Sequence, residues 1–344
     1  MMVRTFALFA GLALLVGCGQ PQEPVAGGKP SVPVVTLTYA NFPPAATFPC
    51  VQMEHWREEV EAASDGQVKV RTFPGGQLLG AKNMLDGVID GTADIGCFAM
   101  SYHPGRFPLS EAVDLPHFFP SATSASLVLH DLLEKYQPKE FAEVEVLAVF
   151  TCPPGAIMTS QEVKTLADLQ GLSLRVSGTA VEVAKRLGAV PVAMPQSDTP
   201  SAIQKGTVKG ILSSMEVLKD MNYAAYCPYA LKLDLGVVSF AVVMNRTKFQ
   251  SLSPETQALL KSRARAQAEW TGQYVDGHVQ AALAWSAQEK GHKLGSFSAE
   301  ETAKVRELLQ PLVDEYVQRI TAAGLPGEEI IRDIAALKEK YADR

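Results

Sequence analysis

Two α/β domains joined by a hinge, with long helices near the C-terminal end bracing both, are predicted by three observations. The 344 residues exceed a single ordinary core, which takes roughly 150 residues per domain. A strand–turn–helix–strand pattern runs through the first part of the chain and starts again at about residue 145. The last third then turns helical, after the helix-start signal Ser253-Pro254-Glu255.

The elements follow in order. Residues 34–40 (VVTLTYA) alternate and are β-branched, so they read as a strand, broken by Asn41-Phe42-Pro43-Pro44. Residues 50–64 carry Val51, Trp56, Val60 and Ala63 on one helical side, with Trp56 as core, and Gly66 ends that helix. Strand 67–73, turn Pro74-Gly75-Gly76, helix 80–90 and strand 93–98 complete a parallel unit with crossover helices. The second unit has strands at 144–150, 157–160, 172–176, 190–194 and 210–213, with helices at 165–169, 179–187 and 199–205 between them. The apolar strand 237–245 crosses back to the first domain. Helices at 254–290, 299–323 and 327–340 close the chain, with Gly324-Leu325-Pro326 between the last two. The expected bounds are 34–150 plus 238–282 for the first domain and 151–237 plus 283–340 for the second. The hinge is expected at Phe150-Thr151-Cys152 and Val237-Val238-Ser239.

Composition narrows the function. Hydrophobic residues at 47% and charged residues at 20% belong to a globular protein rather than a disordered one. A net charge of −6 argues against nucleic acid or an anionic membrane surface as a partner held by bulk charge. The basic start Met1-Met2-Val3-Arg4 leads into the apolar run Phe6–Val16, about half of what spans a bilayer and suited to a signal peptide. The run ends in Leu15-Val16-Gly17-Cys18, which looks like the lipobox of a bacterial lipoprotein. Residues 1–17 are then a signal peptide, Cys18 is the lipidated residue, and the Gly-, Pro-, Gln- and Ser-rich stretch 18–33 is a tether. The expected location is periplasmic, anchored to a membrane by lipid. In that oxidising compartment Cys50, Cys97, Cys152 and Cys227 leave one or two disulfides open.

Several segments, in order and spacing, resemble the solute receptors of tripartite ATP-independent periplasmic (TRAP) transporters, the DctP-like family. They are Phe73-Pro74-Gly75-Gly76-Gln77-Leu78-Leu79-Gly80, Asp90-Gly91-Thr92-Ala93-Asp94-Ile95-Gly96 and Pro104-Gly105-Arg106-Phe107-Pro108. Asp168-Leu169-Gln170-Gly171-Leu172-Ser173-Leu174-Arg175-Val176 and Gly188-Ala189-Val190-Pro191-Val192 complete the set. The likeness covers roughly residues 36–290, and the Asp-Leu-x-Gly-x-x-x-Arg-Val block is its most specific part. It implies a periplasmic-binding-protein-like fold, capture of a solute outside the cytoplasm, hinge closure and delivery to a membrane permease. Two departures stand out: Lys209 replaces the acid of the pattern's Asp-Gly pair, and Met215 replaces the Trp of the Trp-Glu pair found in receptors for 2-oxo acids. The metal-assisted binding mode of those receptors is therefore not carried over.

Arg175 matches the family's carboxylate-gripping arginine, and a planar guanidinium fork suits two carboxylate oxygens. Ser177 follows it. Ser213 and Ser214 end a strand, and strand C-termini in open α/β sheets face the ligand crevice. Glu216 is a candidate for a ligand amine or hydroxyl, or for helping to bind a cation. Phe42, Met100 and Tyr102 follow first-domain strands and would form an apolar wall, with Phe240 on the crossing strand. One arginine among apolar or neutral neighbours favours a monocarboxylate with an apolar or aromatic body, such as a 2-oxo acid, over a dicarboxylate.

An enzyme is the main rival class. His55, His103, His117, His130, His278 and His292 are scattered, and no nucleophile elbow, P-loop or dinucleotide fingerprint occurs. There is no Cys-x-x-Cys pair and no zinc spacing. The remaining rivals are a receptor for an ATP-driven importer and a sensory solute-binding lipoprotein. The reading adopted is a monomeric, non-enzymatic receptor without cofactor or metal, whose partners are a small organic acid and TRAP permease subunits.

Overall fold

The computed structural model describes residues 34–344. The signal peptide, the tether and Cys18 lie outside the described residues.

Eleven strands form two sheets among the described residues. In chain order they are β1 (Val35–Asn41), β2 (Val68–Phe73), β3 (Ile95–Ala99), β4 (Val144–Thr151), β5 (Ala156–Thr159), β6 (Ser173–Val176), β7 (Val190–Ala193), β8 (Gly210–Ser213), β9 (Tyr229–Lys232), β10 (Ser239–Asn245) and β11 (Lys293–Ser296). The first sheet has the order β2-β1-β3-β10-β4, with β1 parallel to β2 and β3, and β10 antiparallel to β3 and β4. The second has the order β11-β9-β5-β8-β6-β7. Each sheet with its helices makes a lobe.

β3 and most of β10 are buried, as expected of central strands covered by helices on both faces. Trp56 is fully buried and meets Tyr39 edge to face at 5.7 Å, so it is core as its helical stripe predicts. The chain crosses between sheets three times, from β4 to β5, from β9 to β10 and, through helix Ala264–Lys290, from β10 to β11. The first two crossings bond to each other: Cys152 N–H donates to Val238 O at 3.0 Å, and Gly155 N–H to Gly236 O at 3.0 Å.

Several elements differ from expectation. The helix expected at 254–290 is two, Pro254–Ser262 and Ala264–Lys290. The helix expected at 299–323 is also two, Ala299–Leu309 and Pro311–Ala322; Pro311 has no N–H to continue the first, so it opens the second. Helices Pro108–Asp114 and Ala122–Tyr136 and strands β9 and β11 had no counterpart in the sequence reading. The last helix, Gly327–Lys340, lies against the first lobe rather than continuing the second. There Lys135 Nζ donates to Asp333 at 2.6 Å and to Glu329 at 2.9 Å, and Lys338 reaches His117 O.

Helix Ala264–Lys290 holds both lobes. In the first, Asp276 accepts from Ala122 N–H at 2.8 Å and from Thr123 N–H at 3.0 Å, capping helix Ala122–Tyr136 with negative charge at its N-terminal end. In the second, His278 Nε2–H donates to Asp220 Oδ1 at 2.7 Å. Among the described residues Cys50, Cys97, Cys152 and Cys227 are buried thiols that form no disulfide with one another.

Candidate functional site

The site is built where strands of both sheets end. In the first lobe, β1 runs out at Asn41, a buried side chain that fixes the next loop. Its Oδ1 accepts from Phe42 N–H at 3.0 Å and its Nδ2 donates to Pro49 O at 2.9 Å. The Pro74-Gly75-Gly76 turn clamps the same loop, Gly75 N–H donating to Pro43 O and Gly76 N–H to Asn41 O. Both glycines have positive φ, which other residues adopt only with strain. Phe42 then meets Tyr102 at 5.7 Å, while Phe48 packs on Phe240 at 5.6 Å.

In the second lobe, Arg175 sits on β6 and is 3% exposed. Its Nε and Nη2 both donate to Met194 O, at 3.0 and 2.7 Å, just past the end of the neighbouring β7. One edge of the guanidinium is thereby fixed, and Nη1 makes no hydrogen bond to the described residues. No carboxylate among the described residues lies within ion-pair distance of it. A buried cation without a counter-ion is costly, so this arrangement favours an incoming anion. Ser213 and Ser214 lie at the end of β8, and Ser214 Oγ donates to Glu216 Oε1 at 2.6 Å. Burial pushes the Glu216 carboxyl up to about 7, partly offset by that hydrogen bond. The Asp220 carboxylate, through its bond to His278, holds that imidazole above its ordinary 6.5.

Phe42, Tyr102, Arg175, Ser177, Ser213, Ser214, Glu216 and Phe240 line one cavity with free room of about 60 Å³. Met100 is the exception. It is buried and lines a neighbouring cleft of about 600 Å³ that shares Tyr102 and Ser177 with the cavity. Its place after β3 is as expected, but the turn Met100–Tyr102 brings Tyr102, not Met100, to the cavity. Gln196 and Asp220 also line the cavity and were not expected from the sequence, and Phe48, a sequence neighbour of the expected wall, joins them. Gln196 follows β7 and obeys the same strand-end rule as Ser213; Asp220 lies one helical turn past Glu216, on the same face. Two hydrogen bonds cross between lobes nearby: Gln196 N–H donates to Tyr102 Oη at 3.0 Å, and Thr179 Oγ1 to Asp114 O at 3.0 Å.

Two lobes enclosing a cavity with an unpaired buried cation define a solute-binding protein of the two-domain, hinged class. The chain belongs to the bacterial extracellular solute-binding protein family 7, DctP, whose profile matches residues 40–319. It is 46% identical to a TRAP periplasmic solute binding protein from Desulfovibrio salexigens, with 90% of this chain and 98% of that one covered and a TM-score of 0.81. That structure is an open complex with the C-terminus of a symmetry mate in the ligand binding site. A marine metagenome TRAP solute binding protein specific for aromatic acid ligands, in complex with 3-hydroxybenzoate, is 29% identical with a TM-score of 0.85, covering 91% of this chain and all (100%) of that one. The 2,3-diketo-L-gulonate-binding periplasmic protein YiaO of Escherichia coli is 26% identical over 223 residues, 62% of this chain and 67% of that one. The relatives are solute-binding proteins of TRAP transporters and not enzymes. Among the described residues no helix is long and apolar enough to cross a membrane.

Proposed function

We propose that this protein is the TRAP receptor for an organic acid, a monocarboxylate with an apolar or aromatic body, gripped through its carboxylate by Arg175. The observation that carries this reading is the guanidinium itself: buried, anchored along one edge by Met194 O, and without an anionic partner. The apolar wall of Phe42, Phe48 and Phe240 suits the body of such an acid. The relatives support the carboxylate, though C4-dicarboxylate-binding proteins are also among them. One binds aromatic acids, one binds a keto sugar acid, and the Desulfovibrio protein holds a chain terminus, which ends in a carboxylate.

Capture proceeds by hinge motion. The little room in the cavity and the bonds Tyr102–Gln196 and Asp114–Thr179 belong to lobes that have come together. They part at Phe150-Thr151-Cys152 and Val237-Val238-Ser239 to admit the ligand, and close because the ligand touches both sides. The moving bodies are 34–150 plus 238–282 and 151–237 plus 283–340, except that helix Pro311–Ala322, bonded to the first lobe through Tyr316–Pro108 and Arg319–Glu111, and helix Gly327–Lys340 travel with the first. The receptor acts as a monomer, tethered through lipid at Cys18, and hands the acid to the TRAP permease subunits.

A thermal-shift screen tests this reading with aromatic and aliphatic monocarboxylates, 2-oxo acids, dicarboxylates, amino acids and neutral sugars. A ligand at a hundred times its dissociation constant adds about 2.7 kcal/mol, a rise of several degrees. Monocarboxylates are expected to give that rise; hits confined to neutral sugars would overturn the reading.

A further inference from the structure

Arg175 accounts for one end of the ligand and leaves the rest of the polar lining unexplained. Three buried polar atoms on residues of the cavity wall have no hydrogen-bond partner among the described residues: Glu216 Oε2, Asp220 Oδ2 and Gln196 Nε2. Each acid already uses its other oxygen. Glu216 Oε1 accepts from Ser214, and Asp220 Oδ1 accepts from His278. The two free oxygens therefore belong to carboxyl groups held in place from behind, four residues apart on one helical turn. Buried polar atoms are nearly always satisfied, so unsatisfied ones on residues that line a cavity indicate what the cavity is meant to receive.

A ligand that brought only a carboxylate and an apolar body would leave all three atoms unsatisfied. Its apolar surface would then bury them further from water. We propose that the receptor selects a hydroxylated organic acid, whose carboxylate meets Arg175 and whose hydroxyl meets the Glu216–Asp220 turn. This rests on the reading of Arg175 given above.

A hydroxyl suits the place because it both donates and accepts. It donates to Asp220 Oδ2 and accepts from Gln196 Nε2–H. Glu216 serves as a second partner in either protonation state. An ammonium group would suit it less. His278 faces Asp220 and offsets its charge, and burial favours the neutral form of Glu216.

Titration calorimetry with matched pairs tests this: benzoate against 3-hydroxybenzoate, and phenylacetate against mandelate, on wild type, Glu216→Ala, Asp220→Asn and Arg175→Ala. For at least one pair, wild type is expected to prefer the hydroxylated member by at least about tenfold, because a site built to hydrogen-bond a hydroxyl penalises its loss. Glu216→Ala and Asp220→Asn should each shrink that preference by at least about threefold, whereas damage to the fold would weaken both members of a pair alike and leave their ratio unchanged. A preference near one for both pairs in wild type, or an unaltered preference in both variants, overturns the proposal and leaves the Arg175 reading standing. Tighter binding of phenylglycine than of mandelate overturns it in favour of an ammonium. Indifference of every pair to Arg175→Ala would instead overturn the parent reading, and this proposal with it.

Discussion

At the residue scale, a buried carboxyl that accepts a hydrogen bond from a single hydroxyl titrates late, and Asp114 is such a group. Burial pushes it from its ordinary 3.8 up to about 8, against the bond it accepts from Ser239 Oγ at 2.6 Å. Between those values the unfolded chain has lost this proton and the folded chain keeps it, so raising the pH favours unfolding. Glu216 acts in the same direction up to about 7. His117 opposes both: burial holds it at about 4 rather than 6.5, so its contribution is lost as pH falls through that range. Above 6.5 the two acids act in the same direction as the His278 imidazole, which Asp220 raises, and stability should drop by about 2 kcal/mol between pH 6.5 and 8, at about 1.4 kcal/mol per unit for one group. Urea unfolding at the two pH values checks this, and Asp114→Asn should flatten the difference; an undiminished slope in that variant would assign it to other groups. Half of the cavity lining named from the sequence came from one rule, that residues just past strand ends face the crevice. The rule reached Phe42, Tyr102, Ser213 and Ser214. It applied equally to Gln196, which Pro195 set apart from the strand pattern. Asp220 was out of reach because its role depends on His278, 58 residues away in sequence, which only the fold brings alongside.

At the element scale, helix Ala264–Lys290 makes the sharpest prediction because it holds two glycines in opposite situations. A Cβ on Gly272 would stand 2.4 Å from Thr123 Cα, so backbone would have to move. A Cβ on Gly277 meets nothing within 4 Å. Gly272→Ala should destabilise by about 1–3 kcal/mol through overpacking. Gly277→Ala should stabilise by about 0.5–1 kcal/mol through helix propensity and reduced freedom of the unfolded chain. Urea denaturation of the two variants gives the comparison, and equal effects would mean that the helix does not pack closely on the first lobe. The same kind of burial explains which elements the sequence hid. Helix Ala122–Tyr136 is buried throughout residues 122–130, so it shows a polar side only in its last turns. β11 fails for the opposite reason: all four of its residues are exposed, and its pairing with β9 supplies the structure that its composition does not. The alternating and glycine-punctuated elements, β1, β2, β6 and β8, were legible because their burial is one-sided or their ends are marked by turns.

At the scale of the whole molecule, function is a change in the distance between two lobes. Their number was legible from chain length and the repeated α/β pattern, and so was the return of β10 to the first sheet. The placement of helix Gly327–Lys340 on the first lobe was not, because it depends on contacts such as Lys135–Asp333 rather than on position in the chain. Hinge closure predicts that small-angle scattering shows a smaller radius of gyration with saturating ligand than without it, and an unchanged radius would remove the hinge from the mechanism. The carboxylate grip at Arg175 is the centre of the account. Titration calorimetry of wild type and Arg175→Ala with the acid that gives the largest thermal shift tests it directly. Losing a charged hydrogen-bonded contact worth about 1.5–3 kcal/mol should weaken binding by about tenfold or more. Affinity equal to wild type in that variant would contradict the account and move the binding site elsewhere.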